Sequence, residues 1–248
     1  MGRCVLYKKL KIITIFNFPN QDNYNNLCRW WARQCLKNSE LDIEIWYRDS
    51  IDHLQVVDDR IKLIKKSEIK ISSFLKPNLI SDKAQHNIGF KLYNLCKESE
   101  PFIFIDADAI LFKNITPLLD ASKDKPFIAI DHQNIAGHTS HIPYKFLNSG
   151  VQVCSDANIL DFNQIIKTQN LYNNFVVPGT DQSMIWNYFR HIKYDYTHPS
   201  IDWRWNNCAG LEKDANEIAV NHYWYNFKPW KINCKLWNKF IDNHKSYE

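Results

Sequence analysis

The feature that most constrains the fold of this chain is an apolar segment that runs directly into two carboxylates. Phe102–Ile105 has the continuous apolar character of a strand buried on both faces, and Asp106-Ala107-Asp108 follows it without a break. In α/β proteins, the carboxyl ends of such strands form the edge of the sheet at which ligands bind. We therefore predict that Asp106 and Asp108 lie at a ligand site.

The rest of the sequence alternates strand and helix signals, which predicts an α/β layered sheet. The opening strand, loop, helix and strand resemble a mononucleotide-binding half, although no glycine-rich phosphate loop is present. Besides Phe102–Ile105, the predicted strands are Lys11–Phe16, Ile43–Tyr47, Phe127–Ile130 and Gly150–Val153. The predicted helices are Leu27–Leu36, a helix capped by Ser81-Asp82 with Ala84, Ile88, Leu92 and Leu95 on one face, and a helix from Asp181 to about Phe189.

The bulk composition indicates one globular domain across residues 1–248. Lys and Arg total 31 against 27 Asp and Glu, and the resulting charge of +4 is too small to indicate nucleic-acid binding. The seven scattered cysteines contain no C-x-x-C pair, which argues against a zinc knuckle or a disulfide framework. Neither a signal peptide nor a membrane-spanning run is evident, so we expect a soluble, cytoplasmic protein.

Two carboxylates as close as Asp106 and Asp108 repel each other unless a positive group lies between them. A divalent cation that prefers oxygen ligands, Mg²⁺ or Mn²⁺, would satisfy both side chains. Such an ion can bridge two phosphates and neutralise the charge that develops on a nucleoside-diphosphate leaving group. The structural alternative is a strand end whose carboxylates cap the following turn. The apolar strand in front of the pair favours the metal.

A second group of candidate residues lies in the segment from His222 to Trp230. The imidazole of His222 suits Mn²⁺ beside two carboxylates, and Lys228 supplies a positive charge suited to a phosphate. Pro229 would stiffen the turn that presents Lys228. Taken alone, His222 would more often be an ordinary core or surface histidine than a metal ligand.

Two further segments carry polar residues beside predicted secondary structure. Asn148 offers both a donor and an acceptor, as a sugar hydroxyl requires, and Gly150 permits close approach of the backbone. A plain turn before a strand is the alternative for these two residues. Asp181 is a natural N-cap for the helix that it opens, and Gln182 lies on the first turn of that helix.

Together these segments resemble, in order and spacing, the retaining glycosyltransferases of family 8, the galactosyltransferase and glycogenin type with the GT-A fold. The matching residues are Asp106 and Asp108, Asn148 and Gly150, Asp181 and Gln182, and His222 with Lys228-Pro229-Trp230. The resemblance spans nearly the whole chain. It implies a Rossmann-like nucleotide-diphospho-sugar transferase with a mixed central sheet flanked by helices. Residues 1–108 would form the nucleotide-binding part, and residues 109–248 the sugar and acceptor part.

The resemblance also implies a role for each matching residue. The ligands of Mn²⁺ (or Mg²⁺) would be Asp106, Asp108 and His222, and the diphosphate would be bound by Lys228. The donor sugar would be contacted by Asn148, Gly150 and Asp181, with Gln182 on its reacting face. Asp22-Asn23-Tyr24 looks like the nucleotide-side loop of the family, and the base, uridine by resemblance, would be held by Phe16, Asn17, Asn23 and Tyr24.

The sequence departs from the family pattern at two places. Tyr225 stands where the family usually has glycine, which changes how closely the backbone can approach a phosphate. The helix before the metal strand lacks the usual arginine, and either Lys83 or Lys91 would take its place at the sugar.

Three other functions compete with a retaining transferase that acts on a glycan or protein-linked acceptor. In a haloacid-dehalogenase-type phosphohydrolase Asp106 would be the nucleophile, but that pattern has Thr or Val where this chain has Ile110, and it lies near the N-terminus. A glycan-binding protein without activity is the second, and the intact ligand set argues against it. An inverting GT-A transferase would use Asp181 as its general base, since Gln182 is neutral and cannot serve as one.

Overall fold

The computed structural model describes residues 10–18, 20–51, 54, 58–76, 81–131, 146–172, 180–209 and 216–245. The strands in this part of the chain are β1 (Lys11–Ile15), β2 (Ile43–Tyr47), β3 (Ile61–Lys65), β4 (Phe102–Ile105), β5 (Ala109–Leu111), β6 (Phe127–Asp131), β7 (Leu147–Cys154), β8 (Asn207–Cys208) and β9 (Val220–His222). The α-helices are α1 (Asp22–Asn38), α2 (Asp82–Ala84), α3 (Tyr93–Lys97), α4 (Thr116–Ala121), α5 (Phe162–Tyr172), α6 (Asp181–His191) and α7 (Lys235–Lys245). A π-helix spans Gln85–Leu92, between α2 and α3.

Six of these strands form a mixed central sheet in the order β3-β2-β1-β4-β7-β6. The first four of that order are parallel, whereas β7 runs antiparallel to both β4 and β6. Successive residues of a strand point to opposite faces. Accordingly Ile12 and Ile103 belong to one core cluster, with α1 and α7, while Ile13 and Phe104 belong to another, with the π-helix and α6. Burial on both faces explains why these strands are continuously apolar.

The predicted strands are all present, with ends that differ by a few residues. The largest difference is in β7, which begins at Leu147, so Asn148 and Gly150 lie within a strand and not in a turn before it. The helix predicted from Leu27 already begins at Asp22. Four strands were not predicted: β3, β5, β8 and β9. The last three are only two or three residues long, which is too short to give a recognisable sequence pattern.

The interpretation of Asp181 as the N-cap of α6 is wrong by one residue. The N-cap is Thr180, whose side-chain oxygen accepts the backbone N–H of Ser183 at 3.4 Å. Asp181 is therefore the first residue of the helix, and its carboxylate is not used in capping. It is 3% exposed and points into the protein, which leaves it available to the candidate site.

The helix predicted from Ser81 begins as expected, because the Ser81 hydroxyl accepts the N–H of Ala84 at 3.1 Å. The segment that follows is a π-helix and not an α-helix. Its wider turns are tied to the segment after β3. The Gln85 amide nitrogen donates to the Ile69 carbonyl at 2.6 Å, and the Ile69 N–H donates to the Gly89 carbonyl at 2.8 Å. A β-carbon at position 89 would lie 2.5 Å from that Ile69 oxygen, so only glycine fits there.

Strands β5, β9 and β8 form a second, three-stranded sheet beside the end of β4. β9 pairs antiparallel with β5, and this register sets His222 opposite Ala109, the residue after Asp108. β8 pairs parallel with β9, with Cys208 opposite His222. The small sheet therefore brings a C-terminal histidine to the end of the central strand.

Among the described residues, no helix combines the length and apolar character needed to cross a membrane. The cysteines in this part of the chain are free thiols, and Cys28, Cys35, Cys154 and Cys208 are buried.

Candidate active site

The candidate site is built around three side chains at the carboxyl end of β4. Asp106, Asp108 and His222 each offer one ligand atom, and these atoms all lie within 4.8 Å of one another. The Nε2 atom of His222 lies 3.1 Å from Asp108 Oδ1 and 3.7 Å from Asp106 Oδ2. The structure thus brings together the three residues predicted to hold a metal.

Backbone hydrogen bonds hold these three residues in place. The Asp106 N–H donates to the Gly150 carbonyl at 2.8 Å, which ties the end of β4 to β7. The Tyr223 N–H donates to the Asp108 carbonyl at 2.7 Å, which ties β9 to the turn after β4. Both aspartates lie in the short turn between β4 and β5, and these two bonds fix that turn to the neighbouring strands β7 and β9.

Gly150 is required by the position of His222. A β-carbon at residue 150 would lie 2.6 Å from both Cε1 and Nδ1 of the imidazole ring. The close approach that the sequence indicated at Gly150 is therefore an approach of the histidine ring. Asn148 shapes the same stretch, since its Oδ1 accepts the Gly150 N–H at 2.8 Å.

Lys91 pairs with two carboxylates, that of Asp106, a predicted metal ligand, and that of Asp181, a predicted sugar contact. Its ammonium lies 3.0 Å from Asp106 Oδ1 and 3.1 Å from Asp181 Oδ2, and its side chain is 7% exposed. The ammonium also donates to the Ser149 carbonyl at 3.2 Å and lies 4.4 Å from the centre of the Phe104 ring. Of the two lysines considered from the sequence, Lys91 lies in the site, while the Lys83 side chain is outside the described part of the structure.

Lys228 approaches the same ligands from the other side. Its ammonium donates to Asp108 Oδ2, and its side chain is 9% exposed. It also lies 5.5 Å from the centre of the Phe18 ring. Asp108 is thus held between His222 and Lys228, whereas Asp106 is held by Lys91.

These contacts separate the pKa values of the two aspartates. Burial would raise the pKa of Asp108, but His222 and Lys228 outweigh it and hold that pKa well below its ordinary value. Burial raises the pKa of Asp106, and the opposing attraction of Lys91 does not fully offset it. Burial would lower the pKa of Lys91, but Asp106 and Asp181 raise it above its ordinary value, so the lysine stays charged.

Gln182, on the first turn of α6, contacts β7 at Ser149. Its side-chain oxygen is 3.4 Å from the backbone nitrogen of Ser149, which is at the long end for a hydrogen bond. The first turn of α6 therefore faces β7 next to the metal-ligand group.

The residues predicted to hold the base are only partly together. Phe18 and Tyr24 stack with ring centres 4.7 Å apart, and Tyr24 meets Trp230 edge-on at 5.1 Å. Phe16 packs edge-on against Phe18 at 5.5 Å. This aromatic cluster (Phe16, Phe18, Tyr24, Trp230) joins the loop after β1 to the segment that carries Lys228.

Asn17 and Asn23 are placed differently from each other. The Asn17 Oδ1 accepts the Arg48 N–H at 2.9 Å, while its Nδ2 is buried and has no hydrogen-bond partner among the described residues. Asn23 is exposed and lines a cavity of about 320 Å³ between α1 and α7, together with Asp22 and Trp237. The structure thus places Asn23 beside α7, away from the contacts that hold Asn17.

Asn206 was missed by sequence reasoning, whereas Phe18 falls within the Phe16–Tyr24 segment whose aromatic and amide groups are predicted to hold the base. Asn206 is fully buried, and its Oδ1 lies 3.0 Å from Nδ1 of His222. Phe18 lies between Tyr24 and the Lys228 ammonium. An isolated asparagine in a polar segment gives no sequence signal of a contact, because the contact depends on the pairing of β8 with β9.

Solved structures with this architecture are glycosyltransferases. An active-site variant of LgtC superposes with a TM-score of 0.65 at 14% sequence identity, and the match covers 96% of each chain. The galactosyltransferase LgtC in complex with donor and acceptor sugar analogues gives a TM-score of 0.61 at 15% identity, again over 96% of both chains. GlyE of Streptococcus pneumoniae TIGR4 gives 0.60 at 14% identity, over 94% of this chain and 60% of that one. The chain has the GT-A glycosyltransferase fold.

No family model and no curated protein sequence matches the chain. The predicted fold class, a GT-A fold with a mixed central sheet flanked by helices, is confirmed. In this GT-A fold the three candidate metal ligands, Asp106, Asp108 and His222, lie at the carboxyl end of β4. This is beside the point where the antiparallel strand β7 joins the parallel part of the sheet. That edge is where open α/β sheets bind their ligands.

Proposed function

We propose that this chain is a metal-dependent glycosyltransferase that moves a sugar from a uridine-diphosphate donor to a glycan or protein-linked acceptor. The observation that carries the proposal is the convergence of Asp106, Asp108 and His222 at the end of β4 in a GT-A fold. Two buried ammonium groups, those of Lys91 and Lys228, flank these ligands. Buried ammonium groups such as these stabilise negative charge on a bound ligand.

The three ligands fit a divalent cation. Two carboxylate oxygens and one imidazole nitrogen are the donor set that suits Mn²⁺, with Mg²⁺ as the harder alternative. A bound ion at this place would neutralise the charge on a diphosphate leaving group. The carboxylates of Asp106, Asp108 and Asp181 outnumber the ammonium groups of Lys91 and Lys228, so the described site has an excess of one negative charge with which to attract a cation.

Lys228 would bind the diphosphate. Its ammonium is desolvated and lies between Asp108 and the Phe18 ring, at the boundary between the metal ligands and the aromatic cluster. A point charge in such a place is worth more than the same charge in water. The diphosphate connects the base to the sugar, and Lys228 lies between the parts of the site that we assign to each.

The base would lie beside the aromatic cluster. The buried Nδ2 of Asn17 needs a hydrogen-bond acceptor, and a uracil carbonyl is of the right chemical type. Tyr24 and Phe18 offer ring faces on which a base can stack. Phe16 would support this group from the core, and Asn23 would act at its solvent edge. Uridine remains our choice of base on the family resemblance.

The donor sugar would lie between β7 and the start of α6, near Asn148, Gly150 and Asp181. We assign Lys91 to the position of the family's arginine, because its ammonium forms ion pairs with both Asp106 and Asp181. Asp181 would accept hydrogen bonds from sugar hydroxyls while Lys91 fixes its orientation.

We also propose that the reaction retains anomeric configuration. A general base must be aligned with the acceptor hydroxyl, whereas the Asp181 carboxylate is engaged by the Lys91 ammonium at 3.1 Å. Gln182 lies on the same first turn, is neutral, and can support positive charge on the sugar without taking a proton. This pairing of Asp181 favours retention over inversion.

The test combines donor binding with turnover. Uridine-diphosphate sugars are titrated in a thermal-shift assay with and without Mn²⁺, since a donor that binds the folded state raises its Tm by mass action. Active donors are then assayed with the wild type, with Asp108→Asn, and with the surface control Asp120→Asn, whose carboxylate pairs only with Lys123 among the described contacts. We expect a Tm rise that requires Mn²⁺, and loss of turnover only in Asp108→Asn. Turnover of phosphate monoesters, or sugar binding that ignores nucleotides, would contradict the proposal and favour a phosphohydrolase or a glycan-binding protein.

A further inference from the structure

We propose that Asn206 positions His222 for metal ligation by accepting a hydrogen bond from the Nδ1–H of its imidazole. The inference rests on the proposed metal centre. It adds to that centre one residue, Asn206, that is not itself a metal ligand. Asn206 acts through His222 and is not itself one of the three proposed ligands, so it is a positioning residue and not a catalytic one. Its side chain meets His222 on the side of the ring opposite to the two aspartates.

The geometry fixes which nitrogen of His222 carries the proton. A carbonyl oxygen only accepts, so the 3.0 Å contact between Asn206 Oδ1 and His222 Nδ1 requires the hydrogen on Nδ1. The lone pair is then on Nε2, which is the atom that faces Asp108 at 3.1 Å and Asp106 at 3.7 Å. Neutral histidine can bind a metal only through the nitrogen without hydrogen, so this tautomer is the ligating one.

Asn206 is held rigidly enough to impose this choice. It is fully buried, and its N–H donates to the Trp203 carbonyl at 3.0 Å, which ends the 3₁₀ turn Trp203–Trp205. That turn is anchored by the buried Trp205 and by the Ala219 N–H, which donates to the Arg204 carbonyl at 2.8 Å. The acceptor therefore belongs to the same packed unit that carries β9 and His222.

The histidine ring has little freedom to compensate if this acceptor is lost. Gly150 lies against Cε1 and Nδ1, so closely that even a β-carbon there would overlap the ring. Without the Asn206 oxygen, the proton is free to move to Nε2, where it would be attracted to Asp108 and would block ligation. Loss of such an outer hydrogen bond typically weakens metal binding by about 10-fold to 100-fold.

The experiment measures Mn²⁺ binding directly, by the electron paramagnetic resonance signal of the free aqua ion. It is run on Mn²⁺ alone and on Mn²⁺ with saturating uridine diphosphate. Asn206→Leu and Asn206→Ala remove the acceptor, one with similar volume and one with a smaller side chain. Asn206→Asp keeps an acceptor that cannot donate. The matched control is Asn207→Leu, since Asn207 is the next residue and is also buried, but its amide donates to Asn221 at 2.9 Å.

We expect the dissociation constant of Mn²⁺ to rise at least tenfold in Asn206→Leu and Asn206→Ala, and to stay within about threefold of wild type in Asn206→Asp. Asn207→Leu should lower Tm but leave the dissociation constant unchanged within about threefold. Equal Mn²⁺ affinity in wild type and both acceptor-free variants would overturn the role of Asn206 while leaving the proposed function intact. A wild-type chain that binds Mn²⁺ in neither arm would instead overturn the metal centre, and with it the proposed function. Weak binding by Asn206→Asp as well as by Asn206→Leu would show that the amide acts as a donor, and would overturn the assigned acceptor.

Discussion

The Lys91 ammonium and the Asp181 carboxylate form an ion pair of 3.1 Å inside the protein, with side-chain exposures of 7% and 5%. Because the same ammonium bonds to Asp106 at 3.0 Å, one lysine connects a proposed metal ligand to the proposed sugar contact. A change in the position of either carboxylate, Asp106 or Asp181, therefore alters the position of Lys91 and its contact with the other.

Replacing Lys91 should damage both stability and activity. Lys91→Met leaves Asp106 and Asp181 without their cation, and we expect the free energy of unfolding to fall by about 3–5 kcal/mol, as for other broken buried pairs. The double variant with Asp181→Asn should recover part of that stability but no turnover. Chemical denaturation and a donor-turnover assay on the two variants and on Lys91→Arg would check this. Full turnover by Lys91→Met would contradict the assigned role.

Gly150→Ala should act on the metal site and not on the fold. The added methyl group would lie 2.6 Å from the His222 ring, and the backbone at Gly150 is not left-handed, so the strain falls on the histidine. We expect Mn²⁺ affinity to drop at least about tenfold with little change in Tm. Val153→Ala, in the same strand and 1% exposed, should show the opposite pattern. Calorimetric titration of Mn²⁺ into both variants would separate the two outcomes.

Tyr24→Ala should weaken nucleotide binding, because it removes the ring stacked 4.7 Å from Phe18. We expect the dissociation constant of uridine diphosphate to rise about tenfold, the usual value of one aromatic stacking contact. Tyr24→Phe should bind normally, and so should Tyr172→Ala, whose ring is 44% exposed in α5. Equal calorimetric affinity for Tyr24→Ala and wild type would remove Tyr24 from the base site.

The stereochemical outcome can be read directly from the product. We expect an α-linked donor to give an α-linked product, because Asp181 is engaged with Lys91 and Gln182 cannot act as a base. Proton NMR of freshly formed product reports the anomeric coupling before any equilibration. A β-linked product would establish inversion and assign the base to Asp181 or another carboxylate.

Acid stability depends on a separate charged cluster at the amino end of the sheet. Lys11 lies 2.9 Å from Glu44 and 3.2 Å from Glu98. Burial would raise the pKa of Glu98, but backbone N–H groups and Lys11 lower it below its ordinary value of 4.5. Its stabilising contribution is therefore complete above about pH 4.5 and is lost as the pH falls through the lower folded pKa.

Lys11→Met removes part of that lowering, so its acid-unfolding midpoint should move to higher pH by about 0.5–1 unit. Lys123→Met, which breaks an exposed pair with Asp120, should not change the midpoint. Circular dichroism from pH 2 to 6 would measure both. Identical midpoints for wild type and Lys11→Met would contradict the assignment.

The central part of the fold could be predicted from sequence because its signals are local. Phe102–Ile105 and Asp106 to Asp108 are adjacent in the chain, and an apolar run followed by carboxylates identifies both the strand and its end. His222 was placed at the metal only through the spacing of a resembling family. The pairing that delivers it, Ala109 opposite His222, joins strands of three residues whose sequences carry no periodicity.

The choice between Lys83 and Lys91 shows a different limit. Both lie on a segment read as one α-helix, and α-helical spacing does not decide which of them faces the site. The segment from Gln85 to Leu92 is a π-helix, tied to residue 69 by the side chain of Gln85. That wider turn sets the direction of Lys91, and it depends on contacts with a distant part of the chain that sequence patterns do not record.

The position of β9 has a consequence for how the protein becomes active during synthesis. All six strands of the central sheet have left the ribosome once Cys154 has emerged, so the sheet can form while the C-terminal third is still being made. The proposed set of metal ligands cannot be complete until His222 emerges and β9 adds to β5. A nascent chain arrested between these two points would hold Asp106 and Asp108 close together without their histidine. We expect such a chain to be folded at its sheet and unable to bind donor, so that donor binding appears only after His222 has emerged.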